Sequence, residues 1–132
     1  ISAHKLGFGI DFYGYVWSGV SRPGQNWSRW SPPRVEDNVP YHKIMESYYR
    51  ASYYRWDEKT GAAYLQIEDR NPPLFISYDS PQTVREKMEY LQEKQLGGVI
   101  IWELSGGYFP NNPQHNELLQ SLKSAYPGIS RR

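Results

Sequence analysis

The chain has 132 residues, a formal net charge of +1 and no cysteine. This length suits one domain, and the near-neutral charge gives no electrostatic footprint for nucleic acid or an anionic membrane surface. The absence of cysteine excludes a disulfide framework, a zinc ribbon and a thiol nucleophile. Aromatic residues make up 16% of the chain, which argues against disorder. We therefore expect a folded domain with no nucleic-acid or membrane partner.

The N-terminal part begins with a predicted strand over Lys5–Tyr15, where large apolar residues alternate with small or polar ones. Residues 18–38 are rich in glycine, proline, serine, tryptophan and arginine, which predicts a long and functional loop. The spacing of apolar side chains predicts a helix over Tyr41–Arg50. The first residue is Ile1, and no signal-like segment follows it. We expect a truncated chain or a cloning boundary, with a mature N-terminus as the alternative.

The middle of the chain reads as an antiparallel piece. Strands are predicted over Ser52–Trp56 and Ala63–Ile67, joined by a five-residue connection that contains glycine. A further short strand is predicted over Phe75–Tyr78. Ser80 is then the expected N-cap of a helix, because proline follows it at the first helical position. This helix is predicted to end near Gly97.

The C-terminal part has the order of a βα unit. The apolar run Gly98–Leu104 predicts a strand buried on both faces of a parallel sheet. A loop over Ser105–Pro113 and a helix over His115–Tyr126 follow, and Ser130–Arg132 is expected to be a frayed end. Strand, helix, buried strand and helix in this order predict an α/β fold around an inserted α+β piece.

Four stretches of the chain carry a further pattern. They are Leu6–Gly14, Tyr54–Asp57 with Ala63–Leu65, Phe75–Pro81 followed by Val84, Lys87 and Tyr90–Leu91, and Leu96–Gly106. In this order and spacing they resemble the C-terminal part of a glycoside hydrolase family 18 chitinase. The first and last stretches resemble its seventh and eighth barrel strands, and the second resembles the core of its chitinase insertion domain.

The resemblance implies the last βα units of a TIM (β/α)8 barrel with an inserted α+β subdomain. Residues 1–17 would be the seventh-strand equivalent, residues 18–79 the insertion subdomain, and residues 80–132 the final helix, strand and helix. A whole barrel needs ~250 residues. The family's acid signature on the fourth strand, Asp-x-x-Asp-x-Asp-x-Glu, and the Met-x-Tyr-Asp motif of its sixth strand match no stretch of this chain.

The resemblance also implies where a sugar would bind. Trp102 matches the tryptophan that forms the apolar floor under the sugar at the cleavage site; the alternative is a core tryptophan between barrel and helix. Tyr13 matches a residue that hydrogen-bonds the substrate; the alternative is a buried tyrosine bonded to a backbone carbonyl. Tyr15 stands where many relatives carry arginine, which removes a fixed cation. Three tryptophans suit sugar stacking at outer subsites, or else pin the long loop to the domain: Trp17, Trp27 and Trp30.

Other aromatic and ionisable side chains are interpreted as structural. We expect the core of the insertion subdomain to include Tyr54, Trp56 and Tyr64, and we expect solvent exposure of Asp57, Glu58, Glu68 and Asp69. Asp79 lies just before a helix, where a negative charge favours the helix dipole. Glu103 alternates with Trp102 and is expected to form an ion pair towards the helices. The three histidines, His4, His42 and His115, lack metal-ligand spacing, so no metal, cofactor or catalytic residue is assigned.

Three functions remain open at this point. The chain is part of a retaining, substrate-assisted chitinase whose acid lies elsewhere, or a chitinase-like lectin without activity, or an unrelated small α+β interaction domain. For the first two, the expected partners are N-acetylglucosamine oligosaccharides or chitin, and either the N-terminal part of the barrel or a second copy of the chain. The resemblance alone suggests a secreted or cell-surface protein.

Overall fold

A computed structural model describes residues 1–112 and 115–126 of the chain. Its strands are β1 (Gly7–Asp11), β2 (Tyr13–Ser18), β3 (Arg34–Pro40), β4 (Tyr54–Asp57), β5 (Ala62–Ile67), β6 (Leu74–Tyr78) and β7 (Gly98–Trp102). Its helices are α1 (Tyr41–Ser47), α2 (Pro81–Glu93) and α3 (Glu117–Ala125), with short 3-10 turns at Ala3–Lys5 and Leu104–Gly107. No helix in this described part is long and apolar enough to cross a membrane.

Strands β1 and β7 form a two-stranded parallel sheet with Gly7 opposite Gly98 and Asp11 opposite Trp102. Side chains alternate across a strand, so Phe8 and Ile10 share one face, and that face packs against the helices. Helix α2 contacts both β1 and α3. The neighbouring parallel pair is the arrangement that two consecutive barrel strands require.

The other five strands form an antiparallel sheet in the order β3-β2-β6-β5-β4. The predicted hairpin is confirmed as β4 and β5. Helix α1 covers one face of this sheet through the buried Ile44. Gly14 makes the close approach possible, because a Cβ there would lie 2.8 Å from Ile44 Cδ1 and 2.8 Å from Tyr78 Cβ.

The predicted single strand over Lys5–Tyr15 is wrong in its extent, because the chain changes sheets at Phe12. The Phe12 side chain is fully buried, its amide donates to the Trp102 carbonyl at 2.8 Å, and its carbonyl accepts from the Tyr41 amide at 2.9 Å. From Tyr13 onward the backbone pairs with β3 and β6. The division of the chain at residues 17 and 79 remains a prediction.

Three other predicted boundaries also change. The end of the long loop is a strand, since β3 begins at Arg34 and pairs with β2. Helix α2 ends at Glu93 instead of near Gly97, with Gln95 in a left-handed conformation at φ 53°. Helix α3 begins at Glu117, where the side chain of Asn116 accepts from the Leu119 amide at 3.0 Å. The expected frayed end at 130–132 lies outside the described residues.

Strand β7 is not buried on both faces as predicted. Val99 and Ile101 are half-buried against the helices, whereas Ile100 is 62% exposed and Trp102 is 64% exposed. A continuous apolar run predicts burial on both sides, but burial needs a partner layer on each side. In the described residues only the helix side of β7 has one.

Replacing Ser80 with alanine tests the start of α2. The Ser80 hydroxyl accepts from the Thr83 amide at 3.2 Å in a buried environment, and losing an N-cap costs about 1 kcal/mol. We expect the free energy of unfolding, measured by urea denaturation, to fall by about that amount. Ser124→Ala on the exposed face of α3 is the matched control. Equal stability of the two variants would contradict a capping role.

Candidate functional site

A recess of about 270 Å³ opens where β1 and β7 end. The residues that line it are Phe12, Tyr13, Asn38, Pro40, Trp102, Glu103 and Gly106. All active sites of barrel enzymes lie at the C-terminal ends of the strands. The structure therefore brings together Trp102 and Tyr13, two of the predicted site residues, at the edge where a barrel site would be built.

Trp102 is the most exposed aromatic residue of this recess. It shares the outer face of the two-stranded sheet with Ile100, with Asp11 beside it on β1. Gly7 and Gly9 on the same face bring no side chain, and the Ile100 side chain lies over Gly7. The surface beside the indole therefore carries few side chains, and this leaves room for a flat ligand. The peptide bond between Trp102 and Glu103 is cis.

A strip of aromatic side chains continues from the recess along β2. Tyr13, Tyr15 and Trp17 alternate with the buried Gly14 and Val16 and therefore share one face of the strand. The rings of Tyr13 and Tyr15 are 5.8 Å apart in an edge arrangement. Burial raises the pKa of the Tyr13 hydroxyl, which keeps this group protonated and able to donate a hydrogen bond.

Two residues that were not predicted as site residues extend this strip across the sheet. Phe75 is paired with Trp17, and Tyr64 lies next to Phe75 with ring centroids 5.6 Å apart. Tyr54 and Trp56 pack against the core as expected. Tyr64 does not, because its strand position points to the opposite face; the alternation of β5 was the signal that could have shown this.

The loop tryptophans lie apart from the recess. Trp27 is 55% exposed and Trp30 is 86% exposed, so neither side chain is packed into the domain in the way a pin for the loop would be. The guanidinium of Arg29 stacks over the Trp30 ring at 5.2 Å. Both tryptophans are available for contacts with a ligand, but neither lines the recess.

Glu103 differs from its prediction. It lines the recess beside Trp102, accepts from the Ser105 hydroxyl at 2.7 Å, and forms no ion pair with any residue that the structure describes. The reason is that β7 ends at Trp102, so strand alternation no longer governs the next residue. The described residues contain no group of three or more potential metal ligands.

A carboxylate pair, Asp11 and Asp79, lies at the C-terminal end of β1. The buried Asp79 accepts from the Asp11 amide at 3.0 Å and pairs with the Lys87 ammonium at 2.5 Å. Asp79 thus ties the end of β1 to α2, which is more than the helix-dipole contact predicted for it. Burial, and then the nearby Asp79, raise the pKa of the Asp11 carboxyl, while Lys87 opposes them. The sequence analysis did not identify Asp11 as a site residue, because its only signal in the sequence is its place in the alternating pattern of β1.

Two consecutive barrel strands with an inserted antiparallel subdomain, and an exposed tryptophan at their C-terminal ends, define a fragment of a chitinase-type TIM barrel. Residues 1–107 match the model of glycosyl hydrolases family 18, and the chain belongs to this family. Chitinase 63 of Streptomyces plicatus is 32% identical over 126 residues, which cover 94% of this chain and 18% of that protein.

Solved structures agree with this assignment. The catalytic domain of the psychrophilic chitinase B from Arthrobacter TAD20 aligns with a TM-score of 0.65 and 25% identity, covering 96% of this chain and 26% of that one. The Group IV chitinase of Ostrinia furnacalis in complex with allosamidin aligns with a TM-score of 0.70 at 20% identity, covering 92% and 35%. The chain spans about a fifth of the length of the curated relatives it matches.

Replacing Asp11 with asparagine tests whether the ionised carboxyl of this residue opposes folding. A carboxyl whose pKa is raised on folding opposes the folded state when ionised, and this penalty disappears as pH falls through the folded pKa. We therefore expect Asp11→Asn to raise the melting temperature at pH 7 and to have no such effect at ~pH 3, where the carboxyl is protonated. Circular dichroism melts at both pH values measure this.

The control for this variant is Asp57→Asn. The Thr60 side chain and the Lys59 amide hold the pKa of Asp57 below its ordinary value, so the sign is opposite: its ionised form favours folding, and the substitution lowers stability at neutral pH. A loss of stability at pH 7 for both variants would show that Asp11 does not carry a desolvation penalty.

Proposed function

We propose that the chain is part of a chitinase-type glycoside hydrolase that acts on β-1,4-linked N-acetylglucosamine polymers. In this proposal it supplies the floor and one wall of the sugar cleft. The observation that carries the proposal is the exposed Trp102 at the C-terminal end of a parallel barrel strand, with Tyr13 in the same recess. The relative named as a chitinase and the neighbour bound to allosamidin support it.

Trp102 is proposed as the floor. A pyranose ring presents axial C–H bonds on one face, and these pack on a flat aromatic face while water is displaced. Gly9 lies diagonally opposite Trp102 on β1, and no atom lies within 4 Å of where its Cβ would be, so the sheet face beside the indole is open. The Tyr13 hydroxyl stands at the side of the same recess and is proposed to donate a hydrogen bond to the sugar.

The aromatic strip on β2 is proposed as the cleft wall. Tyr15 and Trp17 follow Tyr13 on the same face, at a spacing of ~6.6 Å between alternate strand residues. Tyr15 is a neutral donor where many relatives carry arginine, so contacts on this wall rely on stacking and hydroxyl groups instead of a fixed cation. The exposed Trp27 and Trp30 are proposed as stacking partners farther along the polymer.

The chain is proposed to contribute no catalytic acid. None of its 132 residues forms the Asp-x-x-Asp-x-Asp-x-Glu motif. In substrate-assisted hydrolysis a glutamic acid protonates the leaving oxygen, while the N-acetyl carbonyl of the substrate attacks the anomeric carbon. Trp102 and Tyr13 would hold the sugar during this step. A chitinase-like lectin would use the same two residues, without the acid.

The outer face of the two-stranded sheet around Ile100 is proposed to be covered by further barrel strands, with Trp102 at its C-terminal end left open to the sugar. Ile100 and Trp102 are exposed there, and in the described residues β1 and β7 pair only with each other. An exposed apolar face beside open strand edges is an interface or an aggregation site. The solved neighbours, of which this chain covers 26% and 35%, support strands outside these residues as the occupant. When the chain is isolated, a second copy of it is proposed to cover this face instead.

Titration with a chito-oligosaccharide tests the sugar floor. We expect the chain to bind N-acetylglucosamine oligomers weakly, because half a cleft encloses little of the ligand. Trp102→Ala should weaken binding by about fivefold, since stacking on an aromatic ring contributes on the order of 1 kcal/mol. Isothermal titration calorimetry measures both, and it does not depend on the fluorescence of the residue removed.

Tyr90→Ala is the matched control for this titration, because Tyr90 is an exposed aromatic residue on α2 outside the recess. Its affinity should equal that of the unchanged chain. The same samples, incubated with a chromogenic chitobiose derivative, should release no product. If Trp102→Ala binds as tightly as the unchanged chain, Trp102 is not part of the sugar site. If the chain releases product and a substitution within it abolishes this turnover, the proposal that it contributes no catalytic acid is wrong.

Sedimentation velocity at several concentrations tests the uncovered face. We expect the isolated chain to self-associate as concentration rises, because association buries the apolar face and pairs the open edges. Ile100→Lys should shift the equilibrium towards monomer, since it places a charge in that face. Glu89→Lys on the exposed side of α2 is the control. A soluble monomer with a sharp, cooperative melt at all concentrations would contradict this prediction.

A further inference from the structure

A second cavity, of about 410 Å³, lies on the other side of the five-stranded sheet. Tyr78 of β6 is paired with Gly14, and both face α1, whereas Tyr13 and Tyr15 face away from it. None of the residues that line this cavity also lines the recess beside Trp102. The two sites are therefore separate, with the sheet between them.

Aromatic rings form the walls of this cavity. The rings of Tyr41 and Phe109 meet edge to face at 6.3 Å, and the rings of Tyr41 and Tyr78 are 6.1 Å apart. Both tyrosines and Phe109 are buried, while Tyr49 at the rim is 43% exposed. The Tyr49 ring at the rim therefore presents the open apolar face against which the C–H side of a sugar ring can pack.

The Tyr78 hydroxyl is the polar group inside the cavity. Tyr78 is only 7% exposed, and its hydroxyl makes no hydrogen bond with any residue that the structure describes. Burial raises the pKa of this hydroxyl, and no hydrogen bond contributes to the shift. The group therefore keeps its proton at neutral pH. Because no fully buried polar side-chain atom among the described residues lacks a partner, this unbonded hydroxyl reaches the open space of the cavity, where it can donate to a ligand.

The rim adds polar groups of balanced charge. Arg85 brings one positive charge and Glu117 one negative charge, and Glu117 accepts from the Tyr41 hydroxyl. Gln82 accepts from the Tyr54 hydroxyl at 3.1 Å, which leaves its amide N–H groups for another partner. One charge of each sign beside neutral donors does not favour an anion or a cation. It favours an uncharged ligand with several hydroxyl groups.

We propose that this cavity binds a single neutral pyranose, with the Tyr78 hydroxyl donating to a sugar oxygen and the sugar ring packed against Tyr49 at the rim. Cavities that take small ligands begin at ~300 Å³ and combine apolar walls with few polar groups, as this one does. The ligand class follows from the chemistry of the walls and rim. It does not depend on Trp102 or on the chain taking part in hydrolysis.

Titration of the isotope-labelled chain with N-acetylglucosamine, followed by amide NMR, tests this proposal. We expect shifts at the amides of residues 78–85, next to the cavity. Tyr78→Phe keeps the ring and removes only the hydroxyl, and should weaken binding at these amides by about tenfold, the effect of one buried hydrogen bond. Trp102→Ala should leave the same titration unchanged.

Tyr49→Ala is the second variant. Its side chain is at the exposed rim, so the fold is expected to tolerate the change, and the spectrum without sugar checks this. It should also weaken binding at residues 78–85. The proposal is overturned if N-acetylglucosamine shifts none of these amides, if both variants bind as the unchanged chain does, or if inorganic phosphate shifts them more than the sugar. Shifts confined to the surroundings of Trp102 would also overturn it, and would leave the proposed function standing.

Discussion

The backbone of Phe12 is the point on which the arrangement of the molecule depends. Its amide donates to the last carbonyl of β7, and its own carbonyl accepts from the first amide of α1. One buried residue thus joins the barrel strands to the inserted sheet. A Cβ at Gly106 would overlap the Phe12 carbonyl oxygen, so the turn after β7 can lie against this junction only with glycine there. The junction places Tyr13 beside Trp102.

The charged groups at this junction hold β1 in position against α2, at some cost in folding stability. Asp79 is buried, yet it has partners on both sides, the Asp11 amide and the Lys87 ammonium, and a buried charge is tolerated when paired in this way. Asp11 forms no ion pair with any residue that the structure describes, and burial and then Asp79 raise its pKa, with Lys87 opposing them. Groups that oppose folding in this manner concentrate at functional sites, and Asp11 stands directly beside the proposed sugar floor.

Much of the secondary structure could be predicted from the sequence alone, because short-range interactions determine it. The hairpin of β4 and β5, the cap at Ser80 and the apolar periodicity of α2 and α3 are short-range features, and each was predicted within a few residues. The neighbouring parallel strands and the family membership followed from the resemblance. The pairing of β1 with β7 confirms the first, and the family match confirms the second. The role of Trp102 was predicted in the same way, and it stays a proposal.

Strand pairing and burial were decided by the tertiary structure, because the alternation of apolar and polar residues along the chain does not specify them. The apolar pattern runs through Phe12 without a break, so only the pairing of the following strand shows that the chain changes sheets there. β3 carries mostly exposed residues and has no periodic signal; its partner β2 makes it a strand. The Tyr78 cavity and the Tyr64 face exist because elements distant in sequence meet. Burial is a property of both surfaces in a contact, and a sequence pattern describes only one of them.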